Sequence, residues 1–117
     1  MFLFWKGLVN VDEVFLGNNY FKKLTESIFE GLHNVTRIHM FENKYLDQIG
    51  PDLFKGNLNK LEKIDLGRSA LESIDLDMFK CVPNLKCLVI RSGYSKLLNY
   101  DFIENLRKSG KYSFSIF

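Results

Sequence analysis

The chain has 117 residues, of which 46% are hydrophobic and 15% aromatic, enough to fill the core of one moderate domain. Sixteen basic and fourteen acidic residues leave a net charge of +2. This near-neutral balance argues against nucleic-acid binding, which usually requires a marked basic excess. No run of about 18 apolar residues is present, so we expect no membrane insertion. The N-terminal apolar run ends at Lys6, too early for a secretory signal.

In chain order, an apolar pattern recurs with a period of about 24 residues. Its clearest copy covers residues 61–85, where a short alternating piece, Ile64-Asp65-Leu66, precedes a looser run that includes Phe79. The alternation is typical of a strand, but the looser run fits neither a strand nor a helix. We infer that the chain extends, turns and returns along another side, as in one coil of a solenoid.

The recurrence predicts a single domain over residues 1–117. Its units are a partial repeat 1–10, the repeats 11–34, 35–60, 61–84 and 85–108, and a partial repeat 109–117. The second repeat has two extra residues, one near Tyr45 and one in residues 55–57. Trp5 takes the phenylalanine position of the first partial repeat, and we expect Tyr112 and Phe114 to occupy the paired strand positions of the last.

This pattern resembles the leucine-rich repeat family, in the class written LxxLxLxxNxLxxLxxxxFxxLxx. The resemblance implies an α/β solenoid with a curved parallel sheet on the concave face and loops and short helical turns on the convex side. Asn19 and Asn43 hold the asparagine position, which in the family ties adjacent coils together. Ser69 and Gly93 stand there in later repeats, so we expect this bonding to weaken toward the C-terminus.

The coils of a solenoid bury their apolar side only against neighbouring coils. Neither end of the chain carries the cysteine-rich cap that is common in extracellular members of the family. We therefore expect the array to be uncapped at both ends and to be a piece of a longer array. A competing interpretation is an ordinary α+β domain, because residues 21–32 and 98–106 can each be read as amphipathic helices.

Binding in such a fold is expected on the outward side chains of the stacked strands, here called the strand face. Arginine and aromatic residues are enriched at interface hot spots, although a merely solvated surface is the alternative. The candidate ligand-binding residues are Glu13, Phe15, Arg37, His39, Phe41, Lys63, Asp65, Arg68, Val89 and Arg91.

The sequence gives little sign of chemistry. Neither His33 nor His39 belongs to a recognisable catalytic triad, and Glu42 and Asp65 near His39 are more typical of an ion-pair network. We expect no catalytic, cofactor or metal site, and no enzyme activity.

The two cysteines, Cys81 and Cys87, do not match a metal-binding pattern. A disulfide between them would have to span a corner of the coil, so free thiols are favoured. Asn34-Val35-Thr36 is an N-glycosylation sequon, and Asn34 can be glycosylated only if the parent protein is secreted. The asparagine also has a structural explanation, because asparagine suits a turn at this position.

The family resemblance extends to extracellular receptors and secreted recognition proteins, including Toll-like receptors and insect leucine-rich immune proteins. It implies recognition of a protein ligand or co-receptor, outside the cell or at its surface. One alternative is a structural or truncated segment that self-associates through uncapped ends. Another is an intracellular adaptor, which would have reduced cysteines and an unmodified Asn34.

Overall fold

A computed structural model describes residues 11–25, 28–71, 74–90, 100–109 and 113–116. The predictions for Trp5, Arg91, Gly93 and Tyr112 lie outside these residues. In chain order the elements are β1 (Glu13–Phe15), β2 (Lys23–Leu24), β3 (Arg37–His39), β4 (Gln48–Ile49), β5 (Lys63–Gly67), a 3₁₀ helix (Leu76–Cys81), β6 (Cys87–Ile90), α1 (Tyr100–Ser109) and β7 (Ser113–Ile116).

Two parallel sheets run along the solenoid. The main sheet has the order β1-β3-β5-β6-β7, and a second sheet pairs β2 with β4. Successive strands of the main sheet begin 24, 26, 24 and 26 residues apart. Each coil therefore adds one strand to the main sheet, which is the arrangement that the recurring pattern predicts.

The inward positions of the strands form a buried column. Val14, Ile38, Ile64 and Leu88 are paired in register across the sheet, and all four are buried. The main chain repeats its bonding just before each strand: Thr36 N donates to Asp12 O at 2.8 Å, and Glu62 N donates to Thr36 O at 2.8 Å. Because the same bonds recur from coil to coil, the strands stay in register as far as Asp65, after which a bulge shifts the pairing so that Gly67 lies opposite Ile90.

A column of phenylalanines fills the opposite part of the core. Phe29, Phe54 and Phe79 are fully buried, and their rings stack with centroids 6.0 and 5.9 Å apart. These separations lie within the range in which aromatic pairs attract each other. After each ring the chain turns back toward the next strand, as where Val35 N donates to Leu32 O and Leu85 N to Val82 O.

The asparagine position ties the first two described coils together. Asn43 is fully buried, and its Oδ1 accepts a hydrogen bond from Asn19 N at 3.1 Å. In the third coil, Ser69 Oγ accepts a longer hydrogen bond of 3.4 Å from Leu71 N within its own coil. The side-chain hydrogen bond at this position is thus weaker at Ser69 than at Asn43, as expected.

The return side of the solenoid carries short helical elements. The 3₁₀ helix begins after Asp75, whose Oδ1 accepts a hydrogen bond from Asp77 N at 2.9 Å and caps the helix. In the second repeat, residues 52–55 form a surface turn in which Lys55 N donates to Asp52 O and Lys55 Nζ lies 2.8 Å from Asp52 Oδ1. The side-chain hydrogen bond and the charge of Asp52 raise the pKa of Lys55.

Two expectations are corrected. The described part of residues 21–32 contains β2 and turns instead of the helix of the α+β interpretation. The predicted register of the last strand was also wrong, because Phe114 pairs with Leu88 and Ile116 with Ile90. The ten-residue α1 lies between β6 and β7 in the chain, two strands that begin 26 residues apart.

Candidate functional site

Strand register places the predicted strand-face residues in two columns. Glu13, Arg37, Lys63 and Cys87 lie side by side in the first, and Phe15, His39, Asp65 and Val89 in the second. The side chains of both columns alternate with the buried column, because successive side chains of a strand point to opposite faces. The face predicted for binding is thus assembled from three to four consecutive coils.

Three rings form the most distinctive part of this face, here called the aromatic cluster: Phe15, His39 and Phe41. Phe15 and His39 are stacked with centroids 4.5 Å apart and planes 8° from parallel. Phe41 meets His39 edge-on at 6.5 Å. Phe15 leaves 65% of its surface exposed. The cluster therefore presents a large apolar side chain to solvent in a fixed orientation.

Glu13 lies beside the aromatic cluster and contacts two residues of the next coil. Its Oε1 accepts a hydrogen bond from Arg37 Nη1 at 2.8 Å, and its Oε2 lies 3.4 Å from His39 Nε2. A second ion pair follows the cluster, where Arg68 Nη1 lies 3.8 Å from Glu42 Oε1. Both arginines are more than half exposed, so these pairs orient side chains more than they stabilise the fold.

The strand face is not uniformly open. Asp65 and Val89 occupy the same column as Phe15, yet each is only 6% exposed. The exposed residue of this column is therefore Phe15 on β1, at the N-terminal edge of the sheet, whereas the side chain of His39 on β3 is 15% exposed. Sequence reasoning placed both residues on the correct strands but treated them as accessible.

Sequence reasoning missed a second exposed aromatic pair. Tyr20 and Tyr45 are 85% and 59% exposed, and their rings stack with centroids 6.0 Å apart. They border an open cleft of about 260 Å³, here called the tyrosine cleft, which is lined by Asn18, Asn19, Tyr20, Glu42, Lys44 and Tyr45. The extra residue near Tyr45 was the one sequence signal that pointed to this corner.

The remaining candidate positions are placed as follows. Cys81 and Cys87 are free thiols, each half-buried. Asn34 is half-buried, and its Oδ1 accepts a hydrogen bond from Lys60 Nζ at 2.8 Å. Among the residues with described positions, no group of three His, Cys, Asp or Glu side chains could hold a metal ion. Within the same residues, no helix is long and apolar enough to cross a membrane.

Stacked parallel coils with an exposed strand face define a solenoid repeat protein, a class that binds partners over an extended surface. Residues 42–92 match the family model described as leucine rich repeat. No curated protein has a matching sequence. The family match over residues 42–92 and the parallel solenoid together support a leucine-rich repeat protein. Members of this family are generally protein–protein interaction modules and are typically non-enzymatic.

Proposed function

We propose that the chain recognises a protein ligand through the N-terminal half of its strand face, with the aromatic cluster as the anchor. The observation that carries this proposal is the 65% exposure of Phe15 on a ring stack that fixes its position. A fixed, exposed aromatic ring loses little conformational entropy when a partner covers it. Its full apolar contribution is therefore available for binding.

The charges around the aromatic cluster suit a partner of mixed charge. Arg37 and Arg68 are each more than half exposed and each lies next to a glutamate. A partner that covers these ion pairs would desolvate them and meet donors and acceptors at fixed positions. Such an arrangement gives specificity and orientation, while the apolar ring gives most of the affinity.

The affinity of a purified partner for variant chains tests this proposal. The partner would be captured with the immobilised chain, identified by mass spectrometry and then measured by isothermal titration calorimetry. Phe15→Ser should weaken binding by at least about tenfold, the effect of losing a hot-spot side chain. Arg37→Ala combined with Lys63→Ala should weaken binding further. Lys80→Ala, on the exposed surface of the 3₁₀ helix, is the matched control and should change the affinity by less than about twofold.

Unchanged affinity in Phe15→Ser would overturn the proposal and move the binding site off the strand face. Circular dichroism of each variant separates a binding effect from a loss of folding. Because Phe15 is exposed, its replacement should leave the thermal midpoint close to that of the parent chain.

The cellular setting is part of the same proposal: a receptor or secreted immune-type recognition protein, outside the cell or at its surface. The resemblance of the repeat to such proteins and the sequon at Asn34 support it. Expression of the chain behind a secretion signal, followed by glycosidase treatment, would show whether Asn34 accepts a glycan. Detection of the glycan on the natural parent protein is the decisive result, and an unmodified Asn34 there would contradict a secreted setting.

An intracellular adaptor is the alternative setting. In such a protein the two unbridged cysteines, Cys81 and Cys87, would stay reduced. Thiol labelling of the natural parent protein without prior reduction distinguishes the two settings. Immediate labelling of both thiols in cell extracts, together with an unmodified Asn34, would favour the adaptor.

A further inference from the structure

We propose that the tyrosine cleft binds a neutral saccharide at a site that does not include the aromatic cluster. The cleft lies where the chain leaves the main sheet and enters the two-stranded sheet of β2 and β4. Its lining side chains come from two neighbouring coils, so it forms only when the coils are stacked.

The cleft exists because the repeat is interrupted at this corner. Asn19 bonds to Asn43, 24 residues later, whereas Lys23 pairs with Gln48, 25 residues later. The second coil therefore holds one extra residue between these positions. In the third coil a single residue, Ala70, separates Ser69 from Leu71, and Ala70 N donates to Leu46 O.

The extra residue places a second exposed ring against the first. Tyr45 stacks on Tyr20 at 6.0 Å, and the corresponding place in the third coil has no aromatic residue. Both rings are exposed, so neither belongs to the hydrophobic core of the repeat. Insertions at surface corners that gather exposed aromatic side chains are typical of binding sites.

The polar groups of the cleft select the ligand class. The Asn18 amide can donate and accept hydrogen bonds, the Glu42 carboxylate accepts them and the Lys44 ammonium donates them. Glu42 also pairs with Arg68 Nη1 at 3.8 Å, so charges of both signs surround the cleft and no single charge selects an ionic ligand. A sugar ring matches this set, because its hydroxyl groups both donate and accept while its apolar C–H face packs on a tyrosine ring. A proline-rich peptide also packs on aromatic rings, but its backbone lacks donors for Glu42.

The size of the cleft limits what it holds. Its volume of about 260 Å³ lies below the roughly 300–1,000 Å³ of sites that enclose drug-sized ligands. One ring of a longer saccharide would occupy it, with the other rings in solvent. Few ligand atoms are then in contact, so the dissociation constant should be on the order of 1 mM.

Saturation-transfer difference NMR of the full chain tests the proposal, with cellotriose, chitotriose and mannotriose as separate probes. At least one trisaccharide should show saturation concentrated on the C–H protons of a single ring. The signal should disappear in Tyr20→Ser combined with Tyr45→Ser, and persist in Tyr45→Phe, which keeps the ring. Both tyrosines are exposed, so the double variant should keep the circular dichroism spectrum of the parent chain.

Phe15→Ser is the control that separates the two sites. It should weaken protein binding and leave the saccharide signal unchanged. Absence of binding by all three trisaccharides at about ten times the expected dissociation constant would overturn the saccharide assignment. Equal signals in the parent chain and the double tyrosine variant would also overturn it, because binding would then lie outside the cleft.

Discussion

A methyl group added to Gly17 would lie 2.8 Å from Cε2 of the Phe41 ring. On the coil after that of Phe41, a methyl group on Gly67 would lie 2.5 Å from Phe41 Cβ and 2.6 Å from Phe41 Cα. Phe41 therefore fits between two glycines on neighbouring coils. Because Phe41 also meets His39 edge-on, these glycines allow the aromatic cluster to form.

This arrangement predicts different behaviour for the two glycines. Gly17→Ala should lower the free energy of unfolding by roughly 1–3 kcal/mol, the cost of overpacking. The cost should largely vanish in a Phe41→Ala background, because the ring that Gly17 faces is then absent. Gly67→Ala should be costly in both backgrounds, since its clash is with atoms that alanine retains and its φ of +49° disfavours a side chain.

Urea denaturation of the single and double variants measures these coupling energies. Equal costs of Gly17→Ala with and without the Phe41 ring would contradict the packing of Phe41 over Gly17. The Gly67→Ala cycle is the internal control, because it should show little coupling to the ring.

Asn43 should be among the most sensitive polar residues of the chain. Its Nδ2 donates to Leu16 O at 3.0 Å and to Met40 O at 2.9 Å, and its Oδ1 accepts from Asn19 N. Asn43→Ala would remove the hydrogen bonds to the buried Met40 O and the partly buried Asn19 N, at a cost of roughly 1–3 kcal/mol in the free energy of unfolding. Chemical denaturation measures this loss.

Asn19→Ala is the matched control for Asn43. Asn19 also donates to two carbonyl oxygens, those of Leu16 and Gly17, but it is exposed to water. Its replacement should cost less than about 1 kcal/mol, because water can take over the bonds. Similar losses in the free energy of unfolding for the two variants would mean that burial does not determine how much the asparagine side chain contributes to stability.

The sequence was sufficient to predict the repeating strands, because inward positions such as Ile38 and Ile64 recur at fixed offsets and need a buried face. The resemblance to the leucine-rich repeat family also implied that Asn43 ties adjacent coils together. The burial of Asp65 could not be predicted. Local alternation determines on which face of the strand a side chain lies, but the neighbouring coils determine how much of that side chain is buried. The Tyr20–Tyr45 stack was missed for a related reason. An extra residue in the repeat shows where the backbone departs from the regular coil, but it does not show in which direction the Tyr45 ring points.

The phenylalanine column should make a large contribution to stability through its middle member. Phe54 stacks on both Phe29 and Phe79, so Phe54→Ala would open a cavity lined by two rings. We expect a loss of about 3–5 kcal/mol, measured by thermal or urea denaturation. Phe54→Leu, which keeps most of the apolar volume, should cost less than about 1.5 kcal/mol.

Phe15→Ala is the surface counterpart, with an expected change within about 0.5 kcal/mol. A loss in Phe15→Ala as large as that in Phe54→Ala would mean that the aromatic cluster is part of the core. That outcome would also remove the structural basis for treating Phe15 as a binding anchor.

Glu42 has a backbone conformation that its side chain disfavours. Its φ of 59° matches the φ of 57° at Asn18, 24 residues earlier, so successive coils turn in the same way after the strand. Asparagine tolerates this left-handed region, whereas most other L-residues are less stable there by roughly 1–2 kcal/mol. Glu42→Asn should therefore raise the free energy of unfolding by roughly 0.5–1 kcal/mol.

The loss of the carboxylate should not cancel this gain. The ion pair with Arg68 spans 3.8 Å between partly exposed side chains, and such pairs contribute little. Glu62→Asn is the control, because Glu62 is also exposed but lacks a positive φ, and it should not gain stability. If Glu42→Asn instead lowered the thermal midpoint, the carboxylate of Glu42 would contribute more to the fold than the strain of its backbone costs.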